Sequence, residues 1–496
     1  MSIDPASGGR RPHSGRAEPA PEGTAPTRPA PGRAVRRYWC AWAWTGGEDA
    51  PVAADVLIEV DAVGRIASVT PGTPPPADAE HLPGLTMAGL ANAHSHAFHR
   101  ALRGRTHADG GSFWTWRERM YAVADRLTPD SYHRLARAVY AEMALAGITC
   151  VGEFHYLHHD RGGARYADPN AMGAALVAAA ADAGIRITLL DTCYLSGGLS
   201  ADGEHLPLDG PQLRFGDGDA DTWAARVDAY TPQGDHALLG AAVHSVRAVP
   251  AAQIPEVAAW ADAHRAPLHV HLSEQPAENT ACLAAYGRTP TALLADSGAL
   301  GRRTSLVHAT HLTDADVGAI RAAGSTVCLC LTTERDLADG IARTGDLVSA
   351  GFPGGTAPAP LSLGTDQHAQ IDMFEEMRGA ELHERLRTGR RGTLTPRALR
   401  DAATRHGHAS LGWGPGTVAG VLTTGARADL VTIGLDGVRL AGLDPARASD
   451  AVVFAATAAD VRHVMADGRW IVRDGVHTAI PDTARELDAA ITALYA

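Results

Sequence analysis

The sequence predicts an α/β protein built on a (β/α)₈ barrel, a TIM barrel, with a small composite β-sandwich domain formed by both ends of the chain. Two observations carry this prediction. From about residue 85 to residue 370, apolar β-rich segments alternate with Ala-rich helical segments, a pattern typical of parallel sheets with crossover helices. Histidines and acidic residues follow several of these segments, at the end where a barrel carries its functional groups.

Eight segments read as strands of the barrel. They are LTMAGLANAH, ITCVGEF, IRITLLDTCY, ALLGAAVHS, PLHVHLS, TSLVHAT, TVCLCLT and LSLGTDQ. Eight strands in roughly 320 residues match a TIM barrel. A doubly wound open sheet is the alternative for such alternation, but no Gly-rich phosphate-binding sequence follows the first strand. The barrel is therefore the favoured fold.

Both ends of the chain differ from this pattern. Residues 1–33 are rich in Pro, Ala, Gly and Arg and predict a disordered tail, since they cannot offset their own ordering entropy. Residues 34–85 and 406–480 contain short strands separated by Gly and Asp turns, which predict the two parts of the small β domain. The barrel is predicted over residues 86–405, and a C-terminal helix over residues 481–496.

Composition limits the classes of partner. The chain has 496 residues, a formal net charge of −12 and 45% hydrophobic residues. The negative charge argues against nucleic acid or an anionic membrane surface, because both are bound by clustered cations. No apolar run is long enough to cross a bilayer, and the N-terminus lacks the pattern of a signal peptide. A small-molecule substrate and a cytoplasmic location are expected, with six scattered cysteines in the reduced state.

Lysine is absent from the sequence, so all 44 basic residues are arginine. Lysine Schiff-base chemistry is therefore excluded. A metal pair bridged by a lysine carbamate is excluded for the same reason.

The candidate functional residues are histidines and carboxylates at the ends of predicted strands. His94 and His96 end the first strand, and residues two apart in a strand project to the same face. The others are His271 and Glu274 at the end of strand five, His308 on strand six and Asp366 at the end of strand eight. Imidazole and carboxylate suit zinc or another divalent transition metal. The pattern predicts a metal site at one end of the barrel.

This arrangement resembles the amidohydrolase superfamily, specifically its deaminase branch with one metal ion. A narrower resemblance covers nearly the whole chain after the tail. The blocks NAHSHAFHRALRGRTH, GSFWTWRERMY, GEFHYLHHD, AVHSVRAVP, HVHLSEQ, LVHATH and LCLTTERDLADG are similar to the formimidoylglutamate deiminase family of histidine degradation. The absence of lysine fits, since binuclear superfamily members commonly use a carbamylated lysine bridge.

The resemblance implies a role for each candidate residue. The metal ligands fall on His94, His96, His271 and Asp366, and the catalytic groups on Glu274, His308 and Asp366. The substrate contacts fall on His99, Arg117, Tyr156, His244 and Arg247. The two arginines offer the fork-shaped donors that a dicarboxylate needs. One divalent ion per chain, zinc above others, and a homodimer are implied.

The implied reaction is hydrolytic deimination of N-formimidoyl-L-glutamate to N-formyl-L-glutamate and ammonia. A bound divalent ion activates water, Asp366 accepts its proton, and His308 orients the attacking oxygen. Glu274 protonates the imine nitrogen. Two positions depart from the family, because His99 replaces a common Gln and Gln367 a common Ser. Both are expected beside the site, where they bear on the exact substrate.

Two alternatives stay open. Another mononuclear deaminase, acting on guanine, an adenosine derivative or a triazine, would share the metal site but would not need two arginines. A catalytically silent homologue would be expected to lack metal ligands, whereas all are present. Of the other histidines, His155, His158, His159 and His311 are expected to be structural, and His368 is left open.

Overall fold

The structure is a computed structural model that describes residues 35–46, 51–106, 113–414 and 418–496. The predicted tail over residues 1–33 lies outside them. The strands are β1 (Arg36–Ala43), β2 (Ala53–Val60), β3 (Ile66–Thr70), β4 (Glu80–Ala88), β5 (Leu90–Ser95), β6 (Ile148–His155), β7 (Arg186–Cys193), β8 (Gly198–Leu199), β9 (His205–Leu206), β10 (Ala237–Val243), β11 (Leu268–Leu272), β12 (Thr304–His308), β13 (Thr326–Leu329), β14 (Leu361–Leu363), β15 (Leu430–Ile433), β16 (Val461–Ala466), β17 (Arg469–Arg473) and β18 (Val476–His477).

The helices are α1 (Phe113–Ala124), α2 (Pro129–Leu145), α3 (Ala171–Ala183), α4 (Ala220–Asp228), α5 (Ile254–Ala263), α6 (Pro276–Tyr286), α7 (Pro290–Asp296), α8 (Asp314–Ala323), α9 (Leu331–Asp336), α10 (Thr344–Val348), α11 (Met373–Thr388), α12 (Pro396–Asp401), α13 (Gly407–Ser410), α14 (Ala448–Ala455) and α15 (Thr483–Tyr495). Most of the helices lie between consecutive barrel strands, whereas α14 and α15 lie among and after the last strands of the chain. Within the described residues, no helix has both the length and the apolar character needed to span a membrane.

The barrel is a parallel sheet in the order β14-β13-β12-β11-β10-β7-β6-β5. Every residue of β6, β7, β11 and β12 is buried, as expected for strands covered on both faces. Ser95 at the end of β5 forms a parallel bridge with Asp366, just after β14. This bridge brings the first and last strands together, and the predicted (β/α)₈ barrel is confirmed.

The predicted first strand, LTMAGLANAH, is two strands in two different sheets. Its first part belongs to β4, which pairs with β1 and β15, and its second part is β5. The chain changes sheets at Gly89, where an added Cβ would lie 2.5 Å from the Thr149 side chain. Residues 86–88 therefore lie in the terminal sheet and not in the barrel. A continuous apolar run does not reveal such a division.

The second sheet combines strands from both ends of the chain in the order β18-β17-β16-β15-β4-β1-β2-β3. The antiparallel pair β15–β4 joins the two halves, which confirms the predicted composite sheet. A buried ion pair connects this sheet to the barrel, because Nη1 of Arg186 on β7 donates to Oδ1 of Asp429 at 2.9 Å. The sheet and the barrel are parts of one compact unit over Val35–Ala496.

Two further segments differ from their predicted state. In TVCLCLT, strand β13 ends at Leu329 and helix α9 begins at Leu331. Within the predicted β segment 406–480, residues 448–455 form α14, which packs on α11, and Arg378 Nη1 donates to the Phe454 carbonyl at 3.1 Å. Short apolar runs bury equally well as helix or strand, so periodicity alone does not separate them.

Candidate active site

The four predicted metal ligands converge at the carboxyl end of the barrel strands. The Nε2 atom of His94 lies 3.1 Å from Nε2 of His271 and 3.3 Å from Oδ1 of Asp366. The Nε2 atom of His96 lies 3.4 Å from the same oxygen. All four side chains are buried. Strands β5 and β11 and the residues after β14 thus bring three imidazoles and one carboxylate to a single point.

The protonation of these groups fits a cation between them. Nδ1 of His96 donates to the Phe154 carbonyl at 2.9 Å, and Nδ1 of His271 donates to the His244 carbonyl at 3.0 Å. Burial lowers the pKa of His96 to about 3 and that of His271 well below its usual range. Both rings are therefore neutral, with a bare Nε2 that faces other acceptors. A divalent ion would relieve the electrostatic repulsion between acceptor atoms that face one another. A backbone carbonyl that accepts from Nδ1 is also typical of metal-binding histidines.

Glu274 and His308 lie beside this point. Nε2 of His308 is 3.8 Å from both Glu274 Oε1 and Asp366 Oδ2. Burial alone would lower the pKa of His308, but the carboxylates of Glu274, Glu334 and Asp366 outweigh burial and raise it to about 10. The three predicted catalytic groups therefore form one cluster, in which an imidazole lies between two carboxylates.

The backbone at these strand ends is strained. Ser273 after β11, His308 at the end of β12 and Asp366 after β14 have φ values of 49°, 69° and 42°. Non-glycine residues in this left-handed region cost about 1–3 kcal/mol each, and they concentrate at functional sites. The strain occurs at the three strand ends that carry Glu274, His308 and Asp366.

A cavity of about 190 Å³ opens onto these groups. Its lining includes the five predicted substrate contacts, His99, Arg117, Tyr156, His244 and Arg247. Aromatic side chains complete the wall, among them Trp116, Tyr121, Tyr194 and Phe215. An apolar wall with a few convergent polar groups is typical of a small-molecule site.

The two arginines of the cavity differ in their partners. Nη2 of Arg247 donates to Glu274 Oε2 at 2.9 Å, and its Nε lies 3.2 Å from Glu278 Oε2. Arg117 instead donates from Nη2 to the Gly197 carbonyl at 2.9 Å and from Nε to the Tyr121 hydroxyl. Arg247 is thus tied to the predicted general acid. Sequence reasoning missed Glu278, which lies four residues after Glu274 on the first turn of α6.

The two departures from the family pattern have different surroundings. His99 lines the cavity, where its Nε2 is 3.0 Å from the Tyr156 hydroxyl and its ring packs on His96. Gln367 donates from Nε2 to Asp336 Oδ2 at 2.7 Å and is not among the cavity-lining residues that the structure describes. Of the two residues expected beside the site, His99 therefore lines the cavity, whereas the Gln367 side chain is directed to Asp336.

Three of the four histidines that were expected to be structural are held by polar contacts. Those contacts join His158 to the Thr192 carbonyl at 2.9 Å, His159 to Asp217 at 3.0 Å, and His311 to the Asp339 carbonyl at 2.7 Å. His155, His158 and Asp191 are close enough to share a metal ion. However, Nη1 and Nη2 of Arg226 already bond Asp191 at 2.9 and 2.7 Å, so a guanidinium compensates that carboxylate.

Sequence reasoning also missed a buried carboxylate behind the site. Glu153 on β6 is fully buried, and although its hydrogen bonds oppose the shift, burial raises its pKa to about 7. It accepts a hydrogen bond from Ala97 N at 2.6 Å and one from Ser95 Oγ at 2.7 Å. A carboxylate within the otherwise apolar segment ITCVGEF is the feature that could have identified it, since buried charges need specific partners.

Comparison with known proteins agrees with this geometry. The chain is 37% identical to a formimidoylglutamate deiminase from Pseudomonas aeruginosa over 446 residues, which cover 87% of this chain and 94% of that protein. It is 30% identical to an 8-oxoguanine deaminase from the same organism over 407 residues, 79% of this chain and 83% of that protein.

Solved structures share the fold. An amidohydrolase from Brucella melitensis superposes with a TM-score of 0.82 at 31% identity, covering 93% of this chain and all of that one. A zinc complex of atrazine chlorohydrolase from Arthrobacter aurescens has a TM-score of 0.77 at 22% identity, covering 92% and 100%. The model of the amidohydrolase family matches residues 85–471, which include the barrel and every candidate site residue. The chain therefore belongs to the amidohydrolase family.

Proposed function

We propose that this protein hydrolyses N-formimidoyl-L-glutamate to N-formyl-L-glutamate and ammonia, a step of histidine degradation. The observation that supports the proposal is the cavity itself, which is lined by two arginines, Arg117 and Arg247, and by a metal-type centre with the Glu274–His308 pair. The arginines suit the two carboxylates of a dicarboxylate substrate. The metal-type centre and its acid–base pair suit a terminal amidine. The 37% identical relative is a formimidoylglutamate deiminase, which supports the same substrate.

We propose that one zinc ion per chain is held by His94, His96, His271 and Asp366. Three nitrogen ligands and one oxygen ligand match the preference of zinc, and a structural neighbour carries zinc. When bound, the ion lowers the pKa of a coordinated water from about 15.7 towards about 7. Because the chain contains no lysine, it cannot form the carbamate that bridges two ions.

Two carboxylates around this centre carry out the proton transfers, each at a different step. Oδ1 of Asp366 faces the imidazoles, while Oδ2 faces His308 and accepts a proton from the attacking water. His308 orients the attacking oxygen as it bonds to the formimidoyl carbon. Glu274 Oε1, on the other side of His308, donates a proton to the imine nitrogen. Asp366 then passes its proton to the resulting amino group, Glu274 regains a proton from the hydroxyl on the tetrahedral carbon, and the C–N bond breaks, so that ammonia leaves and the carbon keeps the oxygen as a formyl group.

Elemental analysis tests the metal stoichiometry. We expect about one equivalent of zinc in active protein, because the four ligands converge on a single point. Removal of zinc with a chelator should abolish turnover, and one added equivalent should restore it. Two equivalents of zinc in fully active protein would contradict the mononuclear site.

A second prediction separates the two arginines. Arg117→Met removes a proposed carboxylate contact, so the dicarboxylate substrate should lose about tenfold to more than hundredfold in kcat/KM, the equivalent of roughly 1.5–3 kcal/mol. An N-alkylformamidine that carries no carboxylate should be affected little. Arg247→Met should impair both substrates, because Glu274 and Glu278 lose the cation that compensates them. Equal losses on both substrates for Arg117→Met would remove Arg117 from substrate recognition.

An ammonia-release assay distinguishes the proposed substrate from those of related deaminases. Formimidoyl-glutamate, formimidoyl-aspartate, formyl-glutamate, guanine and 8-oxoguanine should be compared at equal enzyme concentration. We expect turnover of the formimidoyl amino acids, with glutamate preferred, and none of the purines. Because one relative is an 8-oxoguanine deaminase, purine turnover without formimidoyl-glutamate turnover would assign the chain to that activity.

We also propose that the enzyme is a cytoplasmic homodimer that binds neither nucleic acid nor membrane. The six cysteines are buried and unpaired, which suits a reducing compartment. A net charge of −12 disfavours polyanions. The dimer rests on family resemblance, and sedimentation equilibrium tests it directly.

A further inference from the structure

A buried network of hydrogen bonds lies beside the candidate metal centre and joins strand β5 to the residues after β14. Ser95 Oγ lies 2.7 Å from Glu153 Oε2 and 3.1 Å from Nε2 of His368. Nδ1 of His368 lies 2.9 Å from Thr365 Oγ1. Asn92 on β5 closes the circuit, because its Nδ2 donates to Thr365 Oγ1 at 2.7 Å and its Oδ1 accepts from Thr365 N at 2.9 Å.

The hydrogen bonds of this network follow one consistent order of donors and acceptors. The carboxylate of Glu153 accepts the single hydroxyl proton of Ser95, so Ser95 Oγ accepts from Nε2–H of His368. Nδ1 of neutral His368 then accepts from the Thr365 hydroxyl. Satisfied buried networks of this kind impose a unique arrangement on the backbone that carries them.

The network connects residues that flank the proposed ligands. Ser95 lies between His94 and His96, and Thr365 precedes Asp366. Asp366 and His368 have φ values of 42° and 59°, which residues with a side chain rarely adopt, so this segment needs external contacts to keep its conformation. Beyond the network, Arg103 Nε donates to the His368 carbonyl at 2.8 Å.

We propose that Ser95, Glu153 and His368 are positioning residues. They set the distance between the segment that carries His94 and His96 and the segment that carries Asp366. None of the three is among the described residues that line the cavity, so they act through His96 and Asp366 and not on the substrate. The inference rests on the proposed metal ligands, but it is independent of which amidine or amide is hydrolysed. Losing a partner that orients metal ligands typically costs about 10- to 100-fold in metal affinity.

Ser95→Ala tests the proposal with the loss of one oxygen atom. The measurement is the rate at which zinc passes from the loaded protein to a colorimetric chelator, recorded beside the melting temperature. We expect release about tenfold faster than in the wild type. The matched control is Ser305→Ala on β12, a buried serine whose hydroxyl has no hydrogen-bond partner among the described residues, and its release rate should be unchanged. Thr365 and Asn92 remain in place in both variants.

His368 provides an independent variant. His368→Ala should also release zinc faster than the wild type, and His368→Gln should recover part of the loss through its amide. The double variant Ser95→Ala/His368→Ala should release zinc no faster than the faster of the two single variants, since both substitutions break one network. Equal release rates for Ser95→Ala and Ser305→Ala would overturn the proposal, as would a wild-type protein that binds no zinc. If the zinc-loaded wild type does not hydrolyse formimidoyl-glutamate, the proposed function is wrong. The zinc release rates of the variants would still test the positioning role of Ser95 and His368.

Discussion

Replacing His271 with alanine is expected to remove the bound metal and reduce turnover to the uncatalysed background. Nε2 of His271 faces His94, and its Nδ1–H is fixed by the His244 carbonyl, so one of the four proposed ligand atoms disappears without a substitute. The loss should exceed the roughly 10- to 100-fold effect of losing an outer partner of a ligand. Zinc content by mass spectrometry and ammonia release measure the two consequences.

His269→Ala is the matched control for this experiment. His269 is on the same strand and is also fully buried, but its Nε2 bonds the Ser410 carbonyl at 3.0 Å, away from the cavity. This variant should lose stability and still bind one equivalent of zinc. If His271→Ala also retained a full equivalent of zinc with normal affinity, His271 would not be a ligand and the proposed centre would be wrong.

Glu274→Gln is expected to keep the metal and lose about 10²–10⁴-fold in kcat, the usual contribution of a general acid or base. The amide has nearly the same shape, and its oxygen can still accept the hydrogen bond that Arg247 Nη2 donates to Oε2. What it lacks is the proton that Oε1 transfers to the leaving nitrogen. Steady-state kinetics together with zinc content distinguish this defect from metal loss.

Glu376→Gln is the corresponding control. Glu376 is fully buried on α11, and its carboxylate bonds Thr332 outside the cavity. The same substitution there should leave kcat within a few fold of the wild type and change mainly the melting temperature. Retention of more than a third of wild-type kcat by Glu274→Gln would show that another group supplies the proton.

The contact between Arg247 and Glu274 links substrate binding to proton transfer. In the sequence, Arg247 is in the block AVHSVRAVP, one predicted strand before HVHLSEQ, which contains Glu274. The family resemblance implies only a contact with a substrate carboxylate for Arg247. In the structure its guanidinium bonds Glu274 and lies near Glu278. A substrate carboxylate that approaches Arg247 would therefore also change the electrostatic surroundings of Glu274. The comparison of the two arginine variants measures this coupling directly.

The fold class, the composite terminal sheet and the group of side chains at one end of the barrel were all predictable from the amino-acid sequence. Strand periodicity and the position of polar residues after each strand carry that information, because parallel barrel strands all end on the same side. The family followed from sequence blocks around those ends. His94 and His96 needed no structure to be paired, since residues two apart in a strand share a face.

Which residues surround those side chains became clear only from the packing of the folded chain. Gly89 divides one apparent strand between two sheets, Gln367 turns towards Asp336, and Glu153 and His368 meet through Ser95 although they are 215 positions apart. Local patterns report which face of an element is buried, whereas these contacts join elements distant in the chain. Their distances and hydrogen-bond directions are set by how the strands, loops and helices pack, and no local pattern contains that information.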